Sequence, residues 1–414
     1  MKIPELVAPA GTIENLKTAI EFGADAAYLG PRAFSLRAGS ENFDVPSIDN
    51  AAGMLHDAGK KLYLTLNSII IEKDLKAAVD FIKTLDNNSV DGVIISDPSL
   101  IAPLIDKGLP VHISTQVSVM NGGAAAFWKK QGVKRIVLAR ELSIPEIASI
   151  VKSVDLEFEV FAHGAMCMSV SGRCLMSDYL TGRAGNRGEC AQPCRWDFSV
   201  SGKREHGTMK AVEENGKTTI FNSKDLNTIK ILDSILDTGV KAIKIEGRNK
   251  GVHYIAVAVK TYREAIDLWM ADKTNYTAKD EWVNDLDGLS NRGYTTGFYK
   301  ELAYGQGRQY YSEKFPGVRV LGIVREVVTG GWAVVDIRND FTSDIRVSIF
   351  SPEKGESSKL ADIVEIKTVD GRTETRVAAN RVVLIKFSVK VSAGNLIREA
   401  GYPFNASGYD ILYL

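Results

Sequence analysis

Between Pro4 and about Trp269, short apolar runs alternate with amphipathic stretches eight times, and this rhythm constrains the fold more than any other feature of the 414-residue chain. The runs read as strands over Glu5–Ala8, Ala26–Gly30, Lys61–Leu66, Asp91–Ile95, Val111–Thr115, Arg135–Ala139, Glu157–Ala162 and Lys241–Glu246. Helical spacing falls between them, for example over Thr12–Phe22, Lys73–Leu85, Gly122–Lys130, Ile144–Val151 and Lys224–Leu236. Thr12 and Ser223 are placed to cap helix starts, and Gly23, Gly59, Gly132 and Gly239 fall just past helix ends. Strand–helix units repeated eight times predict an α/β fold, a (β/α)8 TIM-like barrel. A doubly wound open sheet is the alternative, because periodicity does not report closure.

One connection breaks the rhythm. The loop after the seventh strand, residues 163–222, is far longer than the others, and it holds all four cysteines of the chain: Cys167, Cys174, Cys190 and Cys194, within 28 positions. A loop of that length on the face where such barrels carry their chemistry is expected to be functional. Its second half, Trp196–Phe221, reads as a hairpin turning at Glu213–Lys217. After the helix Gly251–Met270, residues 273–315 read as a partly helical bridge. From residue 316 the period becomes that of strands: Arg319–Val324, Gly331–Ile337, Ile345–Phe350, Asp362–Thr368, Arg381–Phe387 and Leu396–Arg398. The predicted domains are therefore residues 1–272, the bridge, and a small all-β barrel over 316–414.

The thiol cluster points to one object held by four sulfurs: an iron–sulfur cluster, a zinc ion or two disulfides. The N-terminus lacks the apolar core of a signal peptide and no run is long enough to span a bilayer, so a cytoplasmic location is expected, where thiols favour metal over disulfides. The spacing C-x6-C-x15-C-x3-C contains no C-x2-C knuckle, which lowers zinc without removing it. Four thiolates fill the corners of a [4Fe–4S] cluster, leave no iron open, and favour electron transfer or structural service. Between Arg173 and Arg195, four arginines (173, 183, 187 and 195) outnumber Asp178 and Glu189. They would offset cluster charge, hold an anionic substrate or RNA phosphate, or simply be solvated. Formal charge balances overall, 51 basic against 51 acidic residues, and nearly balances in the C-terminal barrel, so bulk charge does not announce nucleic acid.

Polar residues at predicted strand ends form a second candidate set: Asn67, Gln116, Arg140, Glu141, His163, Glu246 and Arg248, with Glu159 on the side of His163 by the two-residue strand period. Arg140 and Arg248 have the geometry to clamp carboxylates of a small substrate; the bland reading is that such charges pair with one another. Arg37, Asn42 and Phe43 are weaker candidates. There is no H-E-x-x-H, no G-x-S-x-G, no phosphate loop and no G-x-G-x-x-G. His163 and Cys167 suggest a Cys–His nucleophile, but a cluster ligand is not a free thiolate.

The run Glu159-Val160-Phe161-Ala162-His163-Gly164-Ala165-Met166-Cys167, followed by Gly172-Arg173-Cys174-Leu175-Met176-Ser177, resembles the signature of the U32 (collagenase-like) peptidase family. Glu5–Gly11, Ser114-Thr115-Gln116, Ser223–Leu226 and Ile243–Arg248 resemble the family too. Asn291–Phe298 and the C-terminal barrel resemble its longer, tRNA-modifying branch. The resemblance implies tRNA wobble-uridine hydroxylation to 5-hydroxyuridine, with prephenate as a partner metabolite, an electron-transfer partner, and a [4Fe–4S] cluster on Cys167, Cys174, Cys190 and Cys194. It leaves a peptidase, or a zinc-stabilised non-enzymatic scaffold, as alternatives.

Overall fold

The computed structural model describes residues 3–36, 42–196, 213–214, 217–218, 223–300 and 315–400. Seven parallel strands follow one another around a ring: β1 Glu5–Pro9, β2 Ala26–Leu29, β3 Lys61–Leu66, β4 Gly92–Ile95, β5 Val111–Ile113, β6 Arg135–Val137 and β7 Glu157–Ala165. The eighth, Ala242–Ile245, pairs in parallel with both β7 and β1, in registers Ala242↔Glu159 and Glu5↔Ala242, so the barrel is closed. That settles the alternative left open by periodicity. The strands match the predicted ones within a few residues at each end, because strands covered on both faces read as near-continuous apolar runs. Thr12 caps its helix by accepting from the Asn15 N–H at 3.1 Å, and Gly23, Gly59, Gly132 and Gly239 stop theirs with φ of 98°, 68°, 84° and 88°.

One predicted helix is wrong at its start. The spacing predicts a helix over Lys224–Leu236 capped by Ser223; Asp225–Asn227 is instead a strand, antiparallel to the end of β7, and only Leu232–Asp237 is α-helical. Tertiary pairing overrides local spacing here. The overrun of β7 to Ala165 offers an unpaired edge, and Arg292 holds the Asp225 carboxylate in place. Tyr294–Thr295, within the expected bridge, adds a further strand beside Asp225–Leu226; Asp280–Asp287 supplies the bridge's helix. The expected hairpin is seen as Glu213–Glu214 paired with Lys217–Thr218. Residues 197–212, 215–216 and 219–221 of it, and Arg37, lie outside the described residues.

Six antiparallel strands, Val320–Val328, Trp332–Ile337, Arg346–Phe350, Lys359–Thr368, Val382–Phe387 and Leu396–Glu399, close the second barrel. It has its own apolar core but also sends Ile323, Phe350 and Leu396 into the main one. Phe350 stacks on Phe22 with ring centres 5.7 Å apart, and Lys260 Nζ donates to the Ser351 carbonyl at 2.8 Å. No helix among the described residues is long and apolar enough to cross a membrane.

Candidate functional site

The strand ends and the cysteine loop enclose a cavity of about 160 Å³. All four cysteines line it, together with Asn67, Gln116, Arg140, Glu246 and Arg248. Five of the eight polar candidates are thus brought together with the whole thiol set.

The loop is tied down over the mouth by specific bonds. Glu141, just past β6, accepts from Ser171 N and Ser171 Oγ, each at 2.6 Å. Asn186 accepts from Cys174 N at 3.2 Å and donates to the Cys174 carbonyl at 2.9 Å, while its own carbonyl takes the Ile69 N–H at 3.0 Å. Arg187 pairs with Asp74 at 2.8 Å. None of the cysteines is disulfide-bonded. Backbone N–H groups of Met176 and Gln192 donate to Cys174 Sγ (3.3 Å) and Cys190 Sγ (3.4 Å), the kind of donor that stabilises a thiolate ligand. Burial pushes the Cys194 thiol up, and the neighbouring Cys167, Cys190 and Cys174 push it further against the pull of Arg195.

Among the described residues, no three Cys, His, Asp or Glu side chains converge as they would on a single metal ion. A zinc ion holds its thiolates at about 2.3 Å, which forces the sulfurs to within about 4 Å of one another. A [4Fe–4S] cluster gives each thiolate its own iron and so spreads them. Four unpaired thiols line one cavity, with N–H donors on two of them, a donor set that either group could use.

Deeper in the mouth, polar groups converge from several strands. Asn67 Nδ2 donates to Gln116 Oε1 at 2.9 Å, and Ser114 Oγ donates to the same oxygen at 3.0 Å. Arg140 stacks over the Phe161 ring at 3.8 Å, donates to the Ala165 carbonyl at 2.7 Å, and lies 3.6 Å from Glu246. Arg248 is buried and donates to Ser35 Oγ and Thr65 Oγ1, both at 2.7 Å, and to Asn42 Oδ1 at 3.4 Å. Gly30 makes room for it: a Cβ there would stand 2.4 Å from Arg248 Nη1. Lys244 lines the cavity as well and lies 4.1 Å from the centre of the Tyr28 ring. Sequence reasoning passed over Lys244, although the two-residue strand period puts it on the face of Glu246. Three cations therefore line the cavity, two of them paired: Arg140 with Glu246 and Lys244 with Glu159.

Two predicted residues are elsewhere. Glu159 is fully buried below the mouth, where it pairs with Lys244 Nζ at 2.9 Å and Arg135 Nη1 at 3.1 Å. Arg135 also reaches Glu5 (2.8 Å) and Glu157 (2.7 Å), and Tyr63 donates to Glu5 at 2.6 Å, a charged plug at the strand starts. Burial raises the Glu159 carboxyl, but Lys244 and Arg135 outweigh it and hold it below its ordinary value. The mouth position expected for Glu159 assumed that β7 ended near Ala162; the strand runs on to Ala165. His163 does not share the side of Glu159 either. A register shift opposite Lys244–Ile245 breaks the two-residue alternation and re-aims the ring. It lies among Tyr254, Tyr262 and Tyr294, with ring centres 5.4–5.7 Å away. Both its nitrogens are buried and have no hydrogen-bond partner among the described residues, and burial, with Lys250 adding to it, pushes the imidazole down to about 3.

Residues 11–308 match the profile of Peptidase family U32. Over 408 residues the chain is 33% identical to tRNA hydroxylation protein P1 of Bacillus subtilis (strain 168), covering 96% of this chain and 95% of that protein. It is 31% identical to the collagenase of Porphyromonas gingivalis (strain ATCC BAA-308 / W83), over 85% of this chain and 84% of the other. It is 30% identical to the 23S rRNA 5-hydroxycytidine C2501 synthase of Escherichia coli (strain K12), over 78% of this chain and 49% of that protein.

Proposed function

The chain belongs to peptidase family U32, and from that membership we propose that it hydroxylates a pyrimidine of RNA, the wobble uridine of tRNA, to give 5-hydroxyuridine. The observation that carries this reading is the single cavity shared by Cys167, Cys174, Cys190, Cys194 and the polar strand ends. It is supported by similarity along nearly the full chain to a tRNA hydroxylation protein and by a relative that hydroxylates an rRNA cytidine.

In this reading the four cysteines hold a [4Fe–4S] cluster, which when bound supplies one-electron transfer and leaves no iron open to substrate. An electron-transfer partner would meet it at the loop, where Cys167 and Cys190 are exposed. Asn67 and Gln116 present amide groups of the kind that read the edge of a base. Arg140, Arg248 and Lys244 favour anions, so a small dicarboxylate such as prephenate fits the cavity's charge. A tRNA substrate would place the protein in the cytoplasm.

Peptide hydrolysis has the collagenase relative in its favour. The Cys–His pairing that the sequence offers is not assembled, however, since Cys167 lines the cavity and His163 does not. Mass spectrometry of tRNA nucleosides tests the proposal. A strain lacking this protein should lose wobble 5-hydroxyuridine and its derivatives and regain them with the wild-type chain, but not with Cys174→Ser. Unchanged nucleosides in a strain lacking this chain and any paralogue would refute it.

A further inference from the structure

The rim of the cavity carries apolar side chains that the fold leaves uncovered. Met176 and Ser177 of the helix Met176–Thr181 line the cavity. On the same turn of chain Leu175 and Tyr179, four residues apart, are 71% and 88% exposed, and Trp196 is 44% exposed. The turn Pro193–Arg195 packs on this helix, and Ala191 N donates to Ser177 Oγ at 3.1 Å, so Tyr179 and Trp196 rise from one lobe. The Tyr179 hydroxyl makes no hydrogen bond among the described residues.

The charge on the lobe has one sign in excess. Arg173, Arg183 and Arg195 are exposed, and Arg173 and Arg183 join no ion pair among the described residues. Asp178 accepts from Gly185 N at 2.9 Å, which holds that carboxylate to its own loop. Flat rings set among guanidinium groups, with few carboxylates, match single-stranded nucleic acid: every base has a face that stacks on an aromatic ring, and arginine pairs with phosphate.

The cavity behind this rim holds about 160 Å³, far too little for a folded helix. A base treated inside it must leave its stack, and its neighbours then lose a stacking partner at the rim. We propose that Tyr179 and Trp196 form a shelf on which the nucleotides flanking the reacting base of an RNA loop stack, with Arg173 and Arg183 on their phosphates. The inference rests on the RNA-hydroxylation reading and names the surface that reading requires.

The test uses the full-length, anaerobically prepared protein and an anticodon stem-loop RNA with uridine at the wobble position, with binding read by fluorescence anisotropy across a salt series. Circular dichroism and iron content check that each variant is folded and loaded. Tyr179→Ala and Trp196→Ala should each weaken binding by about tenfold, and Tyr179→Phe, which keeps the ring, should bind as the wild type does. Replacing Arg173 and Arg183 together by alanine should lower the salt slope by about two. If the wild type binds and hydroxylates RNA while the alanine variants bind as tightly, the shelf is refuted and the function stands. If those variants keep RNA affinity but are reduced more slowly by an electron-donor protein, the surface is a protein dock and the proposal is overturned. If the wild type neither binds nor modifies any RNA, the function itself falls and the shelf with it.

Discussion

Glu141 grips Ser171 through both carboxylate oxygens, taking the backbone N–H and the hydroxyl at 2.6 Å each. Ser171 stands midway between Cys167 and Cys174, and its backbone is left-handed at φ 45°, ψ 32°, an unfavourable region for a residue with a side chain. The bond pair therefore fixes the first half of the cysteine loop to the strand end that also presents Arg140.

Glu141→Ala should release that loop while the barrel stays folded. Two hydrogen bonds to a charged group are lost, each worth about 1.5–3 kcal/mol, but the loss falls on a loop outside the barrel core. Iron retained per chain after anaerobic chelator challenge should drop severalfold, with the urea midpoint nearly unchanged. Glu141→Gln, which keeps one acceptor, should lie between. Equal iron retention in all three proteins would show that the clamp does not hold the cysteines.

Glu159→Gln should cost stability rather than chemistry. The carboxylate is buried between Arg135 and Lys244, and neutralising one member of such a set leaves buried charge uncompensated, at about 3–5 kcal/mol. Urea unfolding should show the loss, while the activity of the remaining folded protein is largely retained. A collapse of turnover with stability intact would instead put Glu159 in the reaction.

The pH dependence of His163 has a definite sign. Its imidazole is held down to about 3 by burial, against about 6.5 in an unfolded chain. Between those values the unfolded state binds the extra proton, so stability is full above pH 6.5 and is lost as the pH falls towards 3. From pH 6.5 to pH 5 the loss from this residue is about 2 kcal/mol. His163→Phe should flatten that part of the stability curve and leave turnover near neutral pH in place. A bell-shaped activity profile abolished by the substitution would contradict a packing role.

These placements show what the sequence carries and what it does not. The barrel strands were legible because a strand buried on both faces is apolar along most of its length, as in Ala26–Leu29. The cysteine loop stood out through length and composition. Closure was invisible, since it depends on Ala242 meeting both Glu5 and Glu159. The Asp225–Asn227 strand was hidden under helical spacing because its partners, Gly164 and Ala165, lie about 60 residues away. The turn of His163 away from the mouth arises from one register shift, which leaves no mark on residue type. The Glu141–Ser171 clamp was missed for the same reason: nothing local marks a serine as a partner of a glutamate 30 residues back.

Arg140 and Arg248 line the cavity, and the proposed function has them hold a small dicarboxylate. Arg140→Lys and Arg248→Lys keep charge but lose the planar two-pronged donor, and Arg248 also holds Ser35 and Thr65. Each should weaken binding of a small dicarboxylate, read by calorimetry, by about tenfold or more. Affinity unchanged in both variants would remove the carboxylate from the proposed function.

The central claim is that Cys167, Cys174, Cys190 and Cys194 together hold an iron–sulfur cluster at the barrel mouth. Its most direct test is elemental: iron, acid-labile sulfide and zinc counted per chain after anaerobic purification, for the wild type and for Cys194→Ser. We expect about four irons and four sulfides per wild-type chain, little zinc, and a marked loss of iron in the variant. One zinc per chain, with neither iron nor sulfide, would contradict it.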